Sequence, residues 1–87
     1  MACEILKQKI HDTLRAGYFS DAKDFVDVSD GSADHVHIVI VSRKFNGHTI
    51  GNRSDIIWDE LVKHLSQEEW GHVFLSIGAT PEEVRIW

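Results

Sequence analysis

The sequence predicts an α+β domain of order αββααβ, with a three-stranded mixed sheet and its helices packed on one face. Three observations predict it. Two segments carry apolar residues four apart, three short runs are β-branched or alternate apolar with polar, and the second and third of those runs are joined by helical sequence. Strands joined through helices run parallel and strands joined by a turn run antiparallel, so the sheet is mixed.

Each element has a local signature. Glu4 to Ala16 places Leu6, Ile10 and Leu14 on one stripe, with Lys7, Gln8, His11, Asp12 and Arg15 outside it. Glu4 suits a positive helix N-terminus and Gly17 a C-terminal stop, so a helix of about 12–14 residues is expected. Phe25 to Val28 alternates, Asp30-Gly31-Ser32 is turn chemistry, and Val36 to Val41 is almost wholly β-branched, which makes a hairpin with a long loop. On the second strand Val36, Ile38 and Ile40 share one face and His37, Val39 and Val41 the other, with the histidine side toward solvent.

Arg43 to Asn52 reads as a basic, glycine-punctuated connection. Ile57, Leu61 and Leu65, widened by Ile56, Trp58 and Val62, form the stripe of a second helix that ends near Leu65. Ser66 to Glu69 is a capping box opening a short helical turn, and Val73, Leu75 and Ile77 alternate with Phe74 and Ser76 as the third strand. Thr80-Pro81-Glu82-Glu83 opens a brief terminal helix. The open face of the sheet is expected to carry His37, Val39, Val41, Phe74 and Phe25, an apolar patch that suggests a partner.

Composition bounds the function. The 87 residues (9.9 kDa) suffice for one domain spanning 1–87, and 43% hydrophobic with 26% charged residues is a globular balance. A net charge of −5 disfavours nucleic acid, although protonating all six histidines would bring it to +1 (−5 + 6). One cysteine, Cys3, and no leading apolar run fit a reducing compartment without membrane contact.

No catalytic set is evident. His35 and His37 have metal-ligand spacing without a third ligand nearby, which leaves them as solvated strand-edge residues or as ligands to a metal shared with another protein. The remaining histidines read as solvated. Asp24, Asp27, Asp30 and Asp34 fail the calcium-loop pattern, because Gly31 stands fifth rather than sixth from Asp27. Ser42, Ser54 and Ser76 lack the turn of an activated nucleophile, and Cys3 is too near a terminus to be held against a base. Trp58 and Trp70 read as core packing. Arg43 to Arg53 suits an anion, an acidic protein surface or nucleic acid, or is a solvated loop, and its Gly47 to Gly51 spacing is not the G-x-x-G clamp of RNA-binding domains.

Taken together, Val39 to His48, Arg53 and the stretch Leu75 to Glu83 resemble the BolA family. Val39-Ile40-Val41-Ser42-Arg43-Lys44-Phe45-Asn46-Gly47-His48 looks like that family's V-V-S-x-x-F-x-G-K segment, with His48 where lysine is usual. Arg53 falls at the arginine preceding its signature histidine, and Thr80-Pro81-Glu82-Glu83 matches its T-P-E-E ending. The resemblance covers nearly the whole chain. It implies a class II KH-like fold and a monothiol glutaredoxin as partner, in the cytoplasm or an organellar matrix. In such pairs a [2Fe–2S] cluster is shared among a glutaredoxin cysteine, a glutathione thiolate and a histidine or cysteine of the BolA-like protein. Some members are described as transcription regulators.

The family's ligand positions are the signature histidine and a residue of the first hairpin loop. The former is Ser54 here, whose hydroxyl is a poor ligand for iron in a sulfide cluster, and the loop has no cysteine, which leaves His35 as the metal candidate. Ser54 is expected instead to N-cap a helix starting at Asp55. The resulting expectation is a monomeric, non-enzymatic adaptor for a glutaredoxin in iron–sulfur or redox homeostasis, holding no cofactor tightly alone. Its partner- or anion-binding residues are Arg43, Lys44, Phe45, Gly47, His48 and Arg53. The alternative is a DNA-binding regulator using the same segment, with weak, salt-sensitive affinity.

Overall fold

In a computed structural model, which describes residues 4–85, the chain runs α1 (Glu4–Ala16), β1 (Phe25–Asp30), β2 (Val36–Val41), a 3-10 turn (Arg43–Phe45), α2 (Ile50–His64), α3 (Gln67–Trp70), β3 (Val73–Ala79) and α4 (Pro81–Arg85). β2 is the central strand, antiparallel to β1 and parallel to β3. The expected α+β order and mixed sheet are present. β1 continues two residues past Val28 to Asp30, where its carboxylate lies 3.2 Å from Lys7 of α1.

The helices cover one face. α1 buries Ile10 and Leu14 and α2 buries Ile57 and Leu61 against Val26, Val36, Ile38 and Ile40, while Phe19 and Phe45 close one end. Each such side chain removed from water contributes about 1.5–3 kcal/mol. The capping box of α3 forms as expected: Ser66 Oγ accepts the Glu69 N–H at 3.2 Å and Glu69 Oε1 accepts the Ser66 N–H at 2.9 Å. Trp70 then packs edge-on against Trp58, ring centroids 5.9 Å apart, and both lean on the core.

β3 does not alternate simply. Val36 faces Val73 but His37 faces Leu75, so Phe74 is one residue too many, and a bulge of this kind turns the residues after it to the opposite face. Leu75 and Ile77, which a plain alternation sets opposite Phe74, join it on the open face at 41%, 43% and 68% exposure respectively. Ser76 and Gly78 take the helix side instead. His37, Val39, Val41, Phe74 and Phe25 lie on the open face as expected.

α2 starts at Ile50, not Asp55. Thr49 is extended (φ −69°, ψ 164°) and its Oγ1 accepts the Asn52 N–H at 3.2 Å, so Thr49 is the N-cap and Ser54 lies inside the helix, capping nothing. Gly51 and Asn52 are poor helix formers, but tertiary contacts of Arg53 hold this first turn.

Two substitutions separate the faces of the sheet. Gly78→Ala is expected to lower the unfolding free energy by about 1–3 kcal/mol, because overpacking forces buried neighbours apart. The new Cβ would meet the Phe45 ring at 2.9 Å and Arg53 Cβ at 3.0 Å. Phe74→Ser should stay within about 1 kcal/mol of the parent in the same urea titration, and a loss as large as that of Gly78→Ala would place Phe74 in the core.

Candidate functional site

The expected partner-binding residues sit where β2 leaves the sheet and α2 begins. Ser42 is fully buried; its hydroxyl donates to Asp24 Oδ1 at 2.7 Å and accepts the Lys44 N–H at 3.1 Å. Lys44 folds back over the Tyr18 ring, 4.8 Å from its centroid, donates to the Tyr18 carbonyl and stands 3.5 Å from Asp24 Oδ2. Phe45 is fully buried and packs on Phe19, ring centroids 5.5 Å apart. Gly47 then turns the chain at φ +80°, a conformation that side chains disfavour.

Arg53 locks this corner from below. It is 8% exposed, and its Nε donates to the His48 carbonyl at 3.0 Å while Nη1 donates to the Gly78 carbonyl at 3.2 Å and to Glu83 Oε1 at 2.6 Å. The same carboxylate oxygen accepts the Thr80 N–H at 2.8 Å, and Thr80 Oγ1 accepts the Glu83 N–H at 3.3 Å. Glu83 therefore closes the first turn of α4 and neutralises Arg53 at once. The Arg53 hydrogen bond, followed by the Thr80 N–H, holds its carboxyl down to about 2.

These contacts correct the expected binding set. Phe45 and Arg53 point inward and hold the corner in shape, so neither is presented to a partner. Lys44 is largely committed to Tyr18 and Asp24. Arg43, Gly47 and His48 remain exposed.

The two residues matched to the ligand positions are separated. Ser54 faces the sheet, its Oγ 3.0 Å from that of Ser76 on the helix side of β3. His35 stacks on Phe74 at 4.6 Å and 9°, and His37 stacks on the same ring at 6.3 Å, both on the open face. Ser76 pairs with Ile38, three residues along from His35, which puts the two side chains ~10 Å apart along the strand and on opposite sides of the sheet. Ligands of one metal ion lie within about 2.4 Å of it, so Ser54 and His35 cannot form a pair. Among the described residues no group of three His, Cys, Asp or Glu is placed to hold a metal ion. The buried Nδ1 of His35 lacks a hydrogen-bond partner among the described residues, while the His72 imidazole stands 3.3 Å from the carbonyl oxygen of neighbouring Asp34.

No known protein family profile matches the sequence, and no curated protein sequence does. Solved structures match closely in shape. BolA1 from Arabidopsis thaliana aligns with a TM-score of 0.69 at 19% identity, over 93% of this chain and 98% of its own. The BolA domain of SufE1 from the same plant aligns with a TM-score of 0.65 at 22% identity, over 94% of this chain and 99% of its own. The chain has a BolA-like fold.

Within this BolA-like fold the T-P-E-E stretch acquires a second purpose. Its pattern reveals a helix start, but not that Glu83 reaches an arginine 30 residues earlier. Ser76, the hydroxyl partner of Ser54, likewise carries no signal of its own in the sequence.

Acid titration tests the Arg53–Glu83 contact. A carboxyl with an ordinary value of 4.5 that folds to about 2 stabilises the native state fully above its unfolded value and stops doing so as pH falls through the folded one. The Tm difference between the parent and Glu83→Gln is expected to shrink as pH falls from about 5 toward 2. A difference constant across that range would mean that the carboxylate charge is not used.

Proposed function

We propose that this chain is a non-enzymatic, BolA-like adaptor that pairs with a monothiol glutaredoxin in iron–sulfur or redox homeostasis, in the cytoplasm or an organellar matrix. The observation that carries the reading is the BolA-like fold across nearly the whole chain. An open sheet face bearing Phe25, Phe74, Leu75 and Ile77 supports it, since an apolar patch of that kind suits a protein contact better than solvent. The pairing rests on that protein contact. Ser54 is engaged with Ser76 and His35 lies across the sheet, so these two residues do not form a ligand pair for a shared cluster.

Anaerobic co-purification with a monothiol glutaredoxin, with and without iron and glutathione, tests this directly. A complex is expected under both conditions, and Ser54→Ala should leave its visible absorption unchanged. Absence of a complex in both conditions would remove the adaptor reading. A complex that forms only with iron would restore cluster ligation by this chain.

The DNA-binding alternative loses ground because Arg53 and Lys44 are occupied within the chain. With Arg43 the one lysine or arginine of that segment left over, the log–log salt slope of duplex binding should be only about −1. Nanomolar, sequence-specific binding at physiological salt would reinstate the regulator.

A further inference from the structure

The chain has nine lysine and arginine side chains against fourteen carboxylates. Lys7, Lys9, Arg15, Lys44, Arg53 and Lys63 each meet a carboxylate or a backbone carbonyl within the chain. Lys23, Arg43 and Arg85 have no ion pair or side-chain hydrogen bond among the described residues. These three come from separate places, the loop before β1, the 3-10 turn and the end of α4, yet they line one open hollow of about 440 Å³ together with Pro81 and Glu82. An acidic protein thus gathers its unpaired cations at a single concave spot.

We propose that this hollow binds an acidic peptide segment of a partner protein, one that brings two or more carboxylates to Lys23, Arg43 and Arg85. Complementary charge at such a surface steers encounter and sets orientation. Glu82 in the lining and Asp21 beside it lower the local charge from three to one, which favours a short segment over a longer polyanion. Removing the three cations from the total leaves −8 on the rest of the molecule (−5 − 3), so a nucleic acid extending beyond the hollow meets repulsion. A carboxylate already sits close by: Asp21 accepts the Lys23 N–H at 2.8 Å, and that bond, with the charges of Arg43, Lys44 and Lys23, holds its carboxyl below the usual range. The proposal does not depend on the glutaredoxin pairing, because it specifies the chemistry of the segment and not its bearer.

The test is fluorescence anisotropy of a fluorescein-labelled hexaglutamate peptide with the whole chain. Saturable binding is expected at ~20 mM salt and should weaken at ~150 mM, where exposed charges are screened over about 8 Å. Arg43→Gln and Arg85→Gln should each raise Kd roughly fivefold, Glu82→Gln should lower it, and Lys63→Gln, which changes the net charge equally, should leave it unchanged. Equal losses for Lys63→Gln and Arg43→Gln would reduce the effect to net charge and overturn the site. So would an absence of saturable binding, or tighter binding of a hexathymidylate oligonucleotide, which would assign the hollow to nucleic acid. Circular dichroism melts of each variant check that the fold persists.

Discussion

One buried guanidinium holds three separate parts of this chain together. Arg53 reaches the loop entering α2 through the His48 carbonyl, the end of β3 through the Gly78 carbonyl, and α4 through Glu83. A charge removed from water costs several kcal/mol unless paired and hydrogen-bonded, so any arrangement that separated these three parts would leave Arg53 unsatisfied. The rest of the corner follows. Phe45 lies beneath Gly78 because no side chain stands there, and α2 begins at Ile50 because the first turn is anchored by the same arginine.

The sheet divides the molecule into a structural side and a presenting side. The long helices α1 and α2 and, among the described residues, the fully buried apolar side chains lie on the former, which leaves the latter to Phe25, Phe74, Leu75 and Ile77. The bulge at Phe74 makes this division possible, since it turns two further apolar residues outward and puts the small Ser76 and Gly78 under α2. Close packing of α2 and exposure of an apolar face are thus one event in the backbone.

Charge is apportioned along the same lines. Between α2 and β3 the side-chain contacts are a hydroxyl pair, Ser54 to Ser76, and the Arg53 guanidinium on the Gly78 carbonyl, whose charge Glu83 compensates. Lys44 and Arg53 serve the interior of the corner, and the cations that remain face solvent beside α4. The basic segment read from the sequence is therefore two things in space: a set of residues that build the corner, and a smaller set that stays available.

What the sequence determined by itself is whatever depends on neighbours within a few residues. The stripe of α1, the two faces of β2, the capping box at Ser66 and the helix start at Thr80 are all local patterns, and their order alone implied the mixed sheet that the BolA-like fold has. The motifs at Val39 to His48 and Thr80 to Glu83 were legible too, but their purpose was not. Arg53 meets Gly78 and Glu83 across 25 and 30 residues of chain, and no periodicity encodes a contact at that range. Only the tertiary structure decided where α2 begins, which way Leu75 and Ile77 face, that Phe45 and Arg53 are internal, and that His35 and Ser54 lie on opposite sides of the sheet. Each of these turns on a packing or register choice that compares distant segments, and such a choice is made by the free energy of the assembled core.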